Sequence, residues 1–121
     1  MTYRGTMFTG VPNMAWIYGY GHYSWTLRAD LIGEFVCRLL RHLEARGAKS
    51  VAPTLRPDDH DMPLRPWVDT EYLNPGYLLR SLDRLPRSGD KPEWQHSQDY
   101  LYESEAIPAI DLEDPIFSYS Y

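Results

Sequence analysis

Residues 10–31 read GVPNMAWIYGYGHYSWTLRADL, and the parsing of this stretch decides the fold. Met14–Tyr18 is a continuous apolar run with one β-branched and two aromatic members. It predicts a strand buried on both faces. Gly19 and Gly21 are free to take positive φ, so residues 19–23 read as a loop. Ser24 is a favourable N-cap residue and opens a helix. A strand, a glycine-containing loop and a helix, in that order, are how many α/β proteins bring a helix N-terminus to a ligand.

Working outward, the helix runs to about Arg46, and Gly47 supplies its stop. Leu27, Leu31, Phe35, Leu39 and Leu43 recur every four residues, flanked by Ile32, Val36 and Leu40. That pattern predicts a broad apolar stripe, with Cys37 buried between Val36 and Leu40 and slow to react. Arg28 is a cation in the first turn, where the helix dipole disfavours it. Upstream, residues 3–9 (YRGTMFT) read as a strand and TGVPN as a turn.

Downstream, residues 52–66 (APTLRPDDHDMPLRP) carry four prolines, three aspartates and a histidine, and read as a solvated loop. In NPGYLLRSLDRLPRSG, Asn74 is an N-cap residue, Pro75 sits at the first helical position and Pro86 forces an end. A further helical stretch is expected around 93–105. The tail PAIDLEDPIFSYSY is acidic, then aromatic. The expected division is 1–50, a Pro-rich linker over 51–70, and a loop-rich helical extension over 71–121.

At 121 residues the chain is at most one ordinary domain, and 43% hydrophobic residues suffice for a core. Its net charge of −5 is uneven. Residues 1–57 hold seven Lys/Arg against three Asp/Glu, and residues 58–121 five against fourteen. This acidity argues against a nucleic-acid partner. No run is long and apolar enough for a membrane span, and no secretory leader is read. Cys37 is the only cysteine, so a reduced, cytoplasmic chain is expected.

The helix start, with Arg28 one turn in, offers backbone N–H groups and positive charge to an anion. The plainer alternative is that Ser24 caps an ordinary helix and Arg28 is solvated. The run Asp58-Asp59-His60-Asp61 is contiguous, whereas metal ligands are usually gathered from separate elements, so no metal is expected there. His22, His42 and His96 stand alone. There is no G-x-S-x-G, no P-loop and no G-x-G-x-x-G. The chain has a helix that could face a cofactor without the βαβ unit that would hold one.

The segments YRGTMFTGVPNMAWIYGY, SWTLRADLIGEFVCRLLRHLEARG and PGYLLRSLDRLPRSGDKPEW closely resemble the C-terminal region of class B flavoprotein monooxygenases, nearest to the Baeyer–Villiger type. The resemblance runs from about Tyr3 to about Tyr100. It implies an α/β chain that ends a Rossmann-like FAD-binding domain and continues as a C-terminal extension. The implied parent is an FAD- and NADPH-dependent monooxygenase that inserts one oxygen atom from O2 into a ketone or a sulfur or nitrogen compound. Gly21, His22, Ser24, Trp25, Thr26 and Arg28 would lie towards the pyrimidine edge of the flavin, and Asn13, in the turn before them, near the cofactor and substrate cavity, with no catalytic residue among them. Relatives usually read Tyr-Thr-Asn-Ala where this chain has Tyr20-Gly21-His22-Tyr23, and Lys at the position of Arg28. The expected partners are upstream FAD/NADP domains or a second copy. The chain alone is expected to hold neither FAD nor NADPH and to be inactive. The alternative is a stand-alone non-catalytic remnant or interaction module.

Overall fold

The computed structural model describes residues 1–21, 23–67 and 76–121. In chain order the elements are β1 (Thr2–Tyr3), β2 (Met7–Phe8), α1 (Trp25–Arg46), β3 (Ser50–Pro53), β4 (Leu64–Pro66), α2 (Gly76–Ser81), β5 (Arg87–Gly89), α3 (Tyr100–Ala106) and β6 (Phe117–Ser120). Among the described residues the strands form three antiparallel pairs, β1–β2, β3–β6 and β4–β5. The described residues therefore form a small α/β unit with three α-helices and short strands.

Residues 3–9 are not one strand. Arg4 and Gly5 both take positive φ, 49° and 66°, and reverse the chain so that Tyr3 faces Met7. Thr6 donates its N–H to the Tyr3 carbonyl to close the turn. Gly5 is required here, because a Cβ would fall 2.7 Å from the His96 ring.

Residues 14–18 are not a strand either. They are irregular, and their one backbone tie among the described residues is Trp16 N–H to the Thr6 carbonyl. Trp16 and Tyr18 turn inward, while Met14 and Ile17 are 46% and 47% exposed. A strand buried on both faces needs a neighbour on each edge and a cover on each face. The described residues supply neither on the outer side.

Helix α1 follows the expected bounds. Gly47 is left-handed at φ 67°, with its N–H bonded to the Glu44 carbonyl and that of Ala48 to the Leu43 carbonyl. This is a Schellman stop, which only a glycine makes without strain. The inward face is Arg28, Ile32, Phe35 and Leu39. Cys37, expected inside, is exposed. At 3.6 residues per turn it stands about 200° around the helix from Phe35, and the apolar residues flanking it do not move it inward.

The main core joins Phe35 and Leu39 to Tyr3, Met7, Val51, Trp94, Ile107 and Phe117. The tail is part of it: β6 pairs with β3 in register Val51 opposite Tyr119, and Ile116 and Phe117 are buried. The 58–61 run is not wholly solvated. Asp59 is buried, and its carboxylate accepts from Arg56 and Lys91 while Arg56 also meets Glu93. Those hydrogen bonds hold its pKa well below the usual carboxylate range. The expected helix after residue 75 is present as α2, with a 3-10 turn over Leu82–Arg84. Its expected Asn74–Pro75 start lies outside the described residues. The stretch expected around 93–105 begins later, at Tyr100, where Asp99 caps by accepting from Tyr102 N–H. No helix among the described residues is long and apolar enough to cross a membrane.

Candidate functional site at the start of the long helix

Ser24 sits where a cap is expected, yet its hydroxyl does not cap. It meets the Thr26 hydroxyl at 2.9 Å instead. Ser24, Trp25 and Thr26 are all exposed. The helix start therefore faces outward, with the Trp25 ring half in solvent beside Tyr18.

Arg28 is neither solvated nor directed at this surface. It is 0% exposed. Its Nε and Nη2 donate to the Glu103 carboxylate at 2.9 and 3.3 Å. Nη1 donates to the Tyr18 carbonyl at 2.7 Å and Nη2 to the Arg4 carbonyl at 2.6 Å. A buried guanidinium needs a paired charge and acceptors for its fork of N–H groups, and it has both. The same Glu103 Oε1 accepts the Tyr20 hydroxyl at 2.6 Å. Burial and this carboxylate push the Tyr20 pKa up, so its hydroxyl stays protonated.

Beside this centre lies a ring stack. Trp16 and Trp67 stack at 4.8 Å and 16°, and Trp67 and His96 at 4.9 Å and 20°. Tyr18 meets both Trp67 and His96 edge-on. Such contacts favour offset or edge geometry and stiffen the segment that carries them. Burial, with Arg28 nearby, pushes the His96 pKa down to about 3, so the ring is neutral.

Of the residues expected at the site, Ser24, Trp25 and Thr26 come together at the helix start. Gly21 lies beside them, its N–H bonded to Gln98 Oε1. Asn13 is elsewhere: its side-chain amide donates to the Lys49 carbonyl and accepts from Val51 N–H, tying its turn to β3. His22 lies outside the described residues. Sequence reasoning missed Glu103, Gln98 and His96. They lie far along the chain from the loop that they touch, and no spacing rule reaches that far. The one available signal was Arg28 itself, a cation at a helix start that needed an explanation.

No protein-family model matches the chain, and no solved structure shows a significant match. The FAD-containing monooxygenase EthA of Mycobacterium tuberculosis is 43% identical over 114 residues, covering 94% of this chain and 22% of EthA. The putative FAD-containing monooxygenase MymA of the same organism is 39% identical over 116 residues, 96% of this chain and 22% of MymA. The probable FAD-binding monooxygenase AlmA of Acinetobacter baylyi is 30% identical over 119 residues, 98% of this chain and 23% of AlmA. The chain thus spans 22–23% of the length of these relatives. Likeness of this strength along nearly the whole chain makes it a homologue of one part of the FAD-containing monooxygenases, their C-terminal region.

Proposed function

We propose that this chain forms the flavin-side C-terminal part of an FAD- and NADPH-dependent monooxygenase of the Baeyer–Villiger type. Its substrate would be a ketone or a sulfur or nitrogen compound. The observation that carries this reading is the 43% identity to EthA over 94% of the chain. In this reading residues 1–50 end a Rossmann-like FAD-binding domain, 51–70 link, and 71–121 extend it.

The residues present fit one edge of the cofactor only. The outward-facing start of α1, with Ser24, Trp25 and Thr26 exposed, suits the electron-rich pyrimidine edge of a flavin. Arg28 does not fit a direct contact, because Glu103 and two backbone carbonyls engage it in the interior. Bound flavin, reduced by NADPH, would supply the chemistry with O2. This chain's residues would orient the ring and exclude water around it.

The test is an exchange protein in which these 121 residues replace the corresponding segment of EthA. It is expected to purify with one FAD per chain and to consume O2 when given NADPH and a sulfide. An exchange protein that folds but holds no FAD would sink the reading.

A further inference from the structure

Tyr18–Gly21 joins the extended segment to the residues before α1. Among the described residues, none of these four makes a backbone–backbone hydrogen bond. Yet Gly19 and Tyr20 are buried, and buried backbone needs partners. Arg28 and Gln98 bind backbone groups of this segment, and Glu103 binds the Tyr20 side chain. Arg28 donates to the Tyr18 carbonyl at 2.7 Å. Gln98 Nε2 lies 3.5 Å from the Gly19 carbonyl. Glu103 accepts the Tyr20 hydroxyl at 2.6 Å, and Gln98 Oε1 accepts the Gly21 N–H at 2.8 Å.

The Gln98 amide has only one orientation that serves both ends of this contact. Its oxygen must face the Gly21 N–H, so its NH2 faces His96 Nε2 at 3.1 Å. His96 must then accept at Nε2, which a neutral ring does. The Trp67 stack on His96 fixes the ring in turn. Gly19 admits no side chain, because a Cβ there would fall 2.2 Å from Trp25 Cδ2. Loop, helix start and the approach to α3 are therefore fitted to one another.

We propose that Gln98 and Glu103 are positioning residues: they latch the Tyr18–Gly21 loop against α1 and so set where a flavin edge meets the helix start. The flavin half of this statement rests on the reading above; the latch does not. Gln98 is half-buried and outside the main core, so its replacement leaves the fold intact.

Amide exchange at Gly21, followed by NMR on the 121-residue chain, tests the latch. Gln98→Ala is expected to speed exchange by about tenfold, the equivalent of one lost hydrogen bond. Gln98→Glu keeps the acceptor and is expected to keep most of the protection. Equal exchange in Gln98→Ala and the parent chain, or equal loss in both variants, overturns the proposal. In the FAD-loaded EthA exchange protein, Gln98→Ala should shift the flavin absorption bands and Gln98→Glu should restore them. Unchanged bands in Gln98→Ala overturn the flavin half. A protein without any FAD, together with a Gly21 amide that responds as described, refutes the flavin reading and leaves the latch standing.

Discussion

At the scale of single residues, Arg28 and Glu103 act as a unit. Two opposite charges, both out of solvent, are tolerable because each neutralises the other and every contact is a hydrogen bond. Removing one partner strands the other. Arg28→Met should therefore cost about 3–5 kcal/mol of unfolding free energy. The double variant Arg28→Met/Glu103→Leu should cost clearly less than the two single variants summed. Urea unfolding of the four proteins measures this, and strict additivity would show that the pair is not coupled. His96 makes a prediction in pH. Its folded pKa is depressed from 6.5 to about 3, so between those values the unfolded chain binds more protons. Stability should fall as pH drops through that window, by at most about 1.4 kcal/mol per unit from this residue. His96→Phe keeps a ring against Trp67 and should flatten that part of the slope. An unchanged slope would assign the acid sensitivity to other groups, Asp59 first among them below its ordinary pKa. Cys37, outward on α1, should label with a thiol reagent at the rate of a free exposed thiol. Protection would mean that another surface covers that face.

At the scale of elements, α1 carries the clearest signal and the clearest misreading. Its bounds were legible from a long apolar period and from Gly47, whose left-handed φ of 67° no other residue adopts cheaply. Gly47→Ala should destabilise by about 1 kcal/mol, read as a lowered denaturation midpoint with an unchanged slope. The face of α1 was harder to read because Leu27, Val36, Cys37 and Leu40 put apolar residues all around it. Burial then follows from what the rest of the chain lays against the helix, which local periodicity does not contain. The strands were legible least. They are two to four residues long, and β3 takes its partner from β6 at the far end of the chain. The acidic, aromatic tail gave no periodic sign that Ile116 and Phe117 would close the core. At the candidate site, the exposed helix start was legible from Ser24 and the glycines before it. Its internal ties to Gln98 and Glu103 were not, since they are tertiary contacts between distant segments.

At the scale of the whole molecule, two features pull apart. The interior is closed: Ile32 and Trp94 have no exposure, and the Tyr3 ring meets Phe35 tilted and Trp94 and Phe117 edge-on. A core drawn from both ends of the chain predicts one cooperative melt rather than a loosely packed state. Outside that core, Val11, Met14, Ile17, Tyr23 and Trp25 all leave much of their side chains in solvent. Five such side chains within residues 11–25, beside others elsewhere on the molecule, make that segment a face that another surface can cover. In the longer relatives, the remaining chain is available to do so. The 121-residue chain by itself should therefore melt sharply and yet bind ANS and self-associate as its concentration rises. Met14→Lys/Ile17→Lys separates the two properties. Both side chains are nearly half exposed, so the melting temperature should hold while light scattering returns to the monomer value and dye binding falls. A double variant that lowers the melting temperature by many degrees would place Met14 and Ile17 inside the core. One that leaves association untouched would move the sticky surface elsewhere, to Leu40 and the outer face of α1.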